Sequence, residues 1–198
     1  MLQSFFALID HLSTVDSANR ASVEQLVWST FGVEKAILAL DMSQFSLSVR
    51  RTGILSYLCL IRHMQVLTGP VVQEHGGEVI KYEADNLMAV FPGAADAVAA
   101  AVRINQALRA APTPAGQDAI AVSIGIDYGR FLMVPGEDCY GDAVNIAYKL
   151  GEDLARPGEI LITAAARERL GERFPHSLKA QQVSISGLEF SAFSVGYA

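Results

Sequence analysis

The sequence predicts an α+β domain built on a ferredoxin-like βαββαβ unit, with additional C-terminal strands and N-terminal helices. Three observations predict it. A continuous apolar run, AILALD at 36–41, reads as a strand that ends in a carboxylate. The segment EVIKYEADNLMAVF, 78–91, reads as two short strands about a tight turn from Glu83 to Asn86, where Asp–Asn suits the turn. Helical periodicity fills the intervals between strands, at 48–75 and at 94–111.

The first helical stretch runs from Val49 through Leu55, Leu58, Ile61, Met64 and Leu67, with Gly69–Pro70 expected to kink or interrupt it. Gly76–Gly77 supplies a left-handed stop. AADAVAAAVRINQALRAA is an alanine-rich helix, PTPAGQD a loop and AIAVSIGIDYG a further strand. Ahead of this core, residues 1–33 form a helical segment. Phe5, Leu8, Ile9 and Leu12 share one helix face, and Val23, Leu26, Val27 and Phe31 supply the apolar positions of a second helix. These helices either cover the core or pair with a copy of themselves. Residues 34–198 are then one domain.

Composition narrows the function classes. With 198 residues, 51% of them hydrophobic, the chain fills one core. A net charge of −6 and the lack of a basic cluster argue against nucleic acid and anionic membranes as partners; Arg50–Arg51 reads as a solvated helix face. Cys59 and Cys139 fit neither a disulfide framework nor a zinc site, and Cys59 reads as core. His11, His63, His75 and His176 show no ligand spacing. Apolar stretches fall short of the ~18–20 residues that span a bilayer, and the N-terminus lacks the pattern of a secretory leader. A reducing, cytoplasmic setting is expected.

The chemistry gathers at two strand ends. In a βαββαβ unit the first and third strands are antiparallel neighbours, so Asp41, closing the first, lies beside Asp85 in the turn opening the third. Singly, each would pass as a helix cap or a turn residue. Together they form a pair suited to a hard divalent cation, whose shell phosphate oxygens can complete.

Five segments in order, LALDMSQFS, HGGEVIKYEADNLMAVFP, VSIGIDYGRFLM, DCYGDAVNIAYKL and PGEILIT, resemble the catalytic domain of the class III nucleotidyl cyclases, the adenylate and guanylate cyclases. The resemblance covers roughly residues 34–196. It implies attack of a ribose 3′-oxygen on the α-phosphorus of a nucleoside triphosphate, with two Mg²⁺ or Mn²⁺ ions per site. Asp41, Asp85 and the Met42 carbonyl would hold the metals. Ser43, Gln44, Phe45 and Ser46 would form the triphosphate loop, cradling phosphates with backbone N–H groups, and Phe45 would pack to hold it. Lys81 and Asp138 match the family's adenine readers, a donor and an acceptor that suit ATP over GTP. Asn145 would orient the ribose, and Lys149, four residues on, would face the α-phosphate. Because the family builds its sites between two catalytic domains, a homodimer with two equivalent interfacial sites is implied.

Three residues depart from the family pattern. Lys149 stands where arginine is usual, losing the planar bidentate fork. Ala84 stands where glycine is favoured, and Glu83 adds negative charge beside it. Ser186 stands where many relatives carry a phosphate-contacting lysine. Two readings follow: a slow adenylate cyclase making cyclic AMP, or a silent cyclase-homology module that binds nucleotide or a partner. Diguanylate cyclases and polymerases share a similar sheet, but their runs of adjacent acids or glycines are missing here.

Overall fold

The computed structural model describes residues 4–43, 53–112, 119–185 and 188–197. Two helices, α1 (Phe5–Thr14) and α2 (Ser17–Phe31), lead into β1 (Gly32–Met42). Then follow α3 (Ile54–Glu74), β2 (Glu78–Glu83), β3 (Asn86–Phe91), α4 (Ala94–Ala110) and β4 (Val122–Val134). The C-terminal part comprises β5 (Asp138–Tyr140), α5 (Asp142–Tyr148), a π-helical turn (Lys149–Leu154), β6 (Ile160–Thr163), α6 (Ala164–Glu168), β7 (Ser177–Ile185) and β8 (Leu188–Gly196).

The expected βαββαβ unit is present. Its strands lie in the order β2-β3-β1-β4, and β6, β8 and β7 extend the sheet. The β1 strand is antiparallel to both β3 and β4, whereas β6 joins β4 in parallel. Every residue from Ala36 to Leu40 is buried because both faces of β1 are covered. Ala36, Leu38 and Leu40 pack with side chains of α3 and α4; Ile37 and Ala39 pack with Ala143, Val144 and Ala147 of α5.

Two departures from the sequence reading concern α3. It runs through Gly69–Pro70 without interruption. Tyr82 donates its hydroxyl hydrogen to the Gln65 carbonyl at 3.1 Å, beside Gly69, so a sheet side chain secures the turn that proline weakens. Cys59 is exposed rather than core. The helix ends as predicted, with Gly76 at φ +71 and the Gly77 and Gly76 N–H groups donating to the Val72 and Gln73 carbonyls. Expectations for Arg50–Arg51 and the PTPAGQD loop lie largely or wholly outside the described residues.

The N-terminal helices cover the far end of β4. Phe5, Leu8 and Val27 are buried with Val134, and the Phe5 ring stacks on Tyr140 at 5.4 Å. Arg130 lies over the Trp28 ring at 4.2 Å. Ile9 and Leu26 are not part of that buried cluster; they are 37% and 46% exposed. No described helix is long and apolar enough to cross a membrane.

Candidate active site at the end of the central strands

Asp41 and Asn86 are cross-strand partners, and Ala84–Asp85 form the two-residue turn just before Asn86. The Met42 N–H donates to the Asp85 carbonyl at 3.3 Å. The two sequence-predicted carboxylates are therefore neighbours. Repulsion between them is visible in the acid strength of Asp41. Burial first, then the charges of Asp85 and Glu152, push it up to about 7. Among the described residues, no lysine or arginine acts appreciably on Asp41. Asp41, Asp85 and Glu152 gather carboxylate charge at one strand end, which a divalent cation would stabilise, and this donor chemistry fits the Mg²⁺ or Mn²⁺ that the resemblance implies. Among the described residues, no three His, Cys, Asp or Glu side chains are grouped to hold a metal ion alone. Other oxygens must complete the shell.

Sheet register decides which face each side chain takes. A bulge between Val79 and Lys81 shifts β2, so Lys81 pairs with Met88 and Tyr82 with Leu87. Without it, Lys81 would oppose Leu87 and enter the core under α3; with it, Lys81 joins Met88 on the α5 face. There Lys81 meets Asp138 of β5 at 2.8 Å and Glu83 at 3.0 Å. The hydrogen bond to Asp138 is the main reason that the ammonium titrates above its ordinary range. Tyr148 stands near this pair, its phenol pushed up to about 12 chiefly by burial. The structure thus brings Lys81 and Asp138 together.

The π turn approaches the sheet unusually closely. A Cβ at Gly125 would stand 2.5 Å from the Gly151 nitrogen, and one at Gly151 would stand 2.8 Å from the Ala39 carbonyl oxygen. This close seat puts Glu152 over the strand ends, where its Oε1 accepts from Asn86 Nδ2 at 2.8 Å. Asn145 and Lys149 remain exposed, and the Lys149 ammonium pairs with Asp153 at 2.9 Å. On the other side of the hairpin, Tyr57 of α3 donates to Asp85 Oδ2 at 3.1 Å. Burial, followed by the Asp85 charge, holds that phenol well above its ordinary range.

Comparison with known proteins places this arrangement. No protein-family model matches the chain. It is 33% identical over 134 residues to a protein of Rhizobium meliloti (strain 1021) named "Putative adenylate cyclase 3". That match covers 67% of this chain and 22% of the relative, so the chain corresponds to a minor part of that longer protein. The crystal structure of an adenylate/guanylate cyclase/hydrolase from Silicibacter pomeroyi superimposes with a TM-score of 0.66 at 29% identity, covering 83% of this chain and 96% of the other. The chain belongs to the class III nucleotidyl cyclase family. The catalytic core of a rhodopsin-guanylyl cyclase with converted specificity, in complex with ATPαS, shares the cyclase fold. Its TM-score is 0.74 at 18% identity, over 83% of this chain and 98% of that one.

Seen within the cyclase fold, sequence reasoning missed Tyr57 and Glu152. Tyr57 sits in an apolar helical run where an aromatic reads as core, and nothing in its spacing marks a carboxylate partner. Glu152 lies seven residues after Asn145; an ideal α-helix would place both on the same solvent face, but the π turn changes the rotation. The Ser43 N–H donates to the Ala121 carbonyl at 2.9 Å, so it is already engaged and is not open for a phosphate cradle. Gln44, Phe45, Ser46 and Ser186 lie outside the described residues. Ala84 takes φ +51, the left-handed conformation that its family position favours for glycine.

Proposed function

We propose that this chain is the catalytic domain of an adenylate cyclase, converting ATP to cyclic AMP and pyrophosphate. The observation that carries the reading is the convergence of Asp41 and Asp85 at one sheet end, with Asp41 held near a pKa of 7 by burial and by the charges of Asp85 and Glu152. The Lys81–Asp138 pair supports ATP as substrate, because it offers the donor and the acceptor that adenine N1 and its 6-amino group require.

In this reading Asp41, Asp85 and the Met42 carbonyl hold Mg²⁺ or Mn²⁺. When bound, the cations lower the pKa of the ribose 3′-hydroxyl and neutralise phosphate charge. Tyr57 fixes one oxygen of Asp85 through its hydrogen bond and leaves the other for the cation site. Lys81 and Asp138 exchange their mutual ion pair for the adenine edge. Asn145 orients the ribose, and Lys149 leaves Asp153 to meet the α-phosphate as charge develops there. The 3′-oxygen forms its bond to the α-phosphorus as the bond to pyrophosphate breaks.

Two copies in a head-to-tail homodimer would form two equivalent sites. Asp41 and Asp85 would come from one copy, and the base-reading and α-phosphate groups from the other. A silent cyclase-homology module is the second reading, favoured by Lys149 being committed to Asp153 and by the strained Ala84. Incubating the purified chain with ATP or GTP and Mg²⁺ or Mn²⁺ separates them. Cyclic AMP formed from ATP supports the enzyme, and binding without turnover under all conditions supports the module.

A further inference from the structure

The cation site is short of oxygens, and the structure holds one in reserve. Asn86 lies directly across from Asp41, and directly opposed residues of an antiparallel pair share a face. Its amide is oriented: Nδ2 donates to Glu152 Oε1 at 2.8 Å, and a carboxylate acceptor requires the nitrogen, not the oxygen, on that side. The amide oxygen is then directed away from Glu152. That Oδ1 atom is buried and has no hydrogen-bond partner among the described residues. A buried carbonyl left unpaired costs free energy, and native structures rarely tolerate one without a reason. Here the unpaired oxygen stands beside Asp41, at a site where two carboxylates leave most of a hard cation's shell unfilled.

We propose that Asn86 is a further ligand of the divalent cation, donating Oδ1, and that Glu152 is the positioning residue that sets the amide's orientation. The inference rests on the cation reading of Asp41 and Asp85. It explains why the π turn brings a third acid to the site although no three acids are grouped to hold a metal. Glu152 acts on the ligand rather than on the ion, as outer carboxylates do for ligating side chains elsewhere. It also explains the close seat of Gly151 on β1, which brings Glu152 within reach of β3.

The test is Mn²⁺ binding to the nucleotide-free full chain, followed by electron paramagnetic resonance, with circular dichroism to confirm folding. Asn86→Ala is expected to weaken Mn²⁺ binding roughly ten-fold or more. Asn86→Asp restores an oxygen donor while losing the bond to Glu152, so it should recover most of the affinity. Were Asn86 only structural, Asn86→Ala would lower the thermal midpoint followed by circular dichroism and leave Mn²⁺ affinity unchanged. Glu152→Gln and Glu152→Ala both remove the charge, but the glutamine keeps a carbonyl acceptor for Nδ2, so it should bind Mn²⁺ several-fold more tightly than the alanine, which should fall roughly ten-fold or more below wild type. Wild-type binding that is lost in Asp41→Asn but unchanged in Asn86→Ala overturns this assignment alone. A wild-type chain that binds no Mn²⁺ overturns the cation reading and this assignment with it.

Discussion

Tyr57 reaches Asp85 from the α3 side of the sheet, while Glu152 reaches Asn86 from the α5 side. The two-residue turn between β2 and β3 is therefore gripped from both faces, and the carboxylate it carries has one oxygen fixed. Tyr57→Phe removes that hydroxyl and keeps the ring in the core. A hydrogen bond to a charged group contributes about 1.5–3 kcal/mol, so Mn²⁺ binding should weaken by about ten-fold while the fold persists. Mn²⁺ titration beside a thermal melt checks this. Unchanged affinity would remove Tyr57 from the site.

Acid strength at Asp41 makes the cation-free protein sensitive to pH. Its pKa is 3.8 when unperturbed and about 7 in the fold. The folded state thus holds this proton more tightly than the unfolded state. The stabilisation is fully present below about pH 3.8 and is lost as pH rises through about 7. Melts of the cation-free chain should show a fall in Tm across that window that Asp41→Asn flattens. Mn²⁺ should bind more tightly as pH rises through 7, releasing a proton. A flat difference between wild type and Asp41→Asn would show that Asp41 is not perturbed.

Ala84 occupies the left-handed region at φ +51, where a Cβ costs roughly 1–2 kcal/mol. Ala84→Gly removes that strain but gains freedom in the unfolded chain, so a net stabilisation of about 0.5–1 kcal/mol is expected. Urea denaturation reads it. A loss of stability would mean that the turn is not strained.

Lys149 presents a point charge where the family uses a planar fork. Lys149→Arg should raise kcat several-fold, on the order of one stronger charge-assisted hydrogen bond, and leave KM for ATP nearly unchanged. Steady-state kinetics decide it. A rise in KM with kcat unchanged would place this residue in ground-state binding.

Much of this was legible in the sequence because it depends on local patterning. AILALD reads as a continuous apolar strand, Asp85 and Asn86 suit the tight turn after Glu83, and βαββαβ order alone makes Asp41 and Asp85 neighbours. Lys81 and Asp138 were legible only through the family resemblance; their contact depends on a bulge at Val79–Lys81 that no residue type there announces. Glu152 was hidden because its position depends on a π turn, and helical extrapolation points it to solvent. Tyr57 was hidden because a buried aromatic at helical spacing looks like packing until its hydroxyl partner is seen. The engaged Ser43 N–H depends on the neighbouring Ala121 carbonyl, a contact that sequence spacing does not reveal.

The central claim is that two copies of this chain share each site and turn ATP into cyclic AMP. Mixing two inactive variants tests it most directly: Asp41→Asn, which lacks the metal half, and Lys149→Ala, which lacks the α-phosphate half. Random pairing of equal amounts makes about half the dimers mixed, each with one intact site, so about a quarter of wild-type cyclic AMP formation should return. Each variant alone should make almost none. No activity in the mixture, with wild type active under the same conditions, would contradict the shared site; no cyclic AMP from wild type itself would contradict the enzyme.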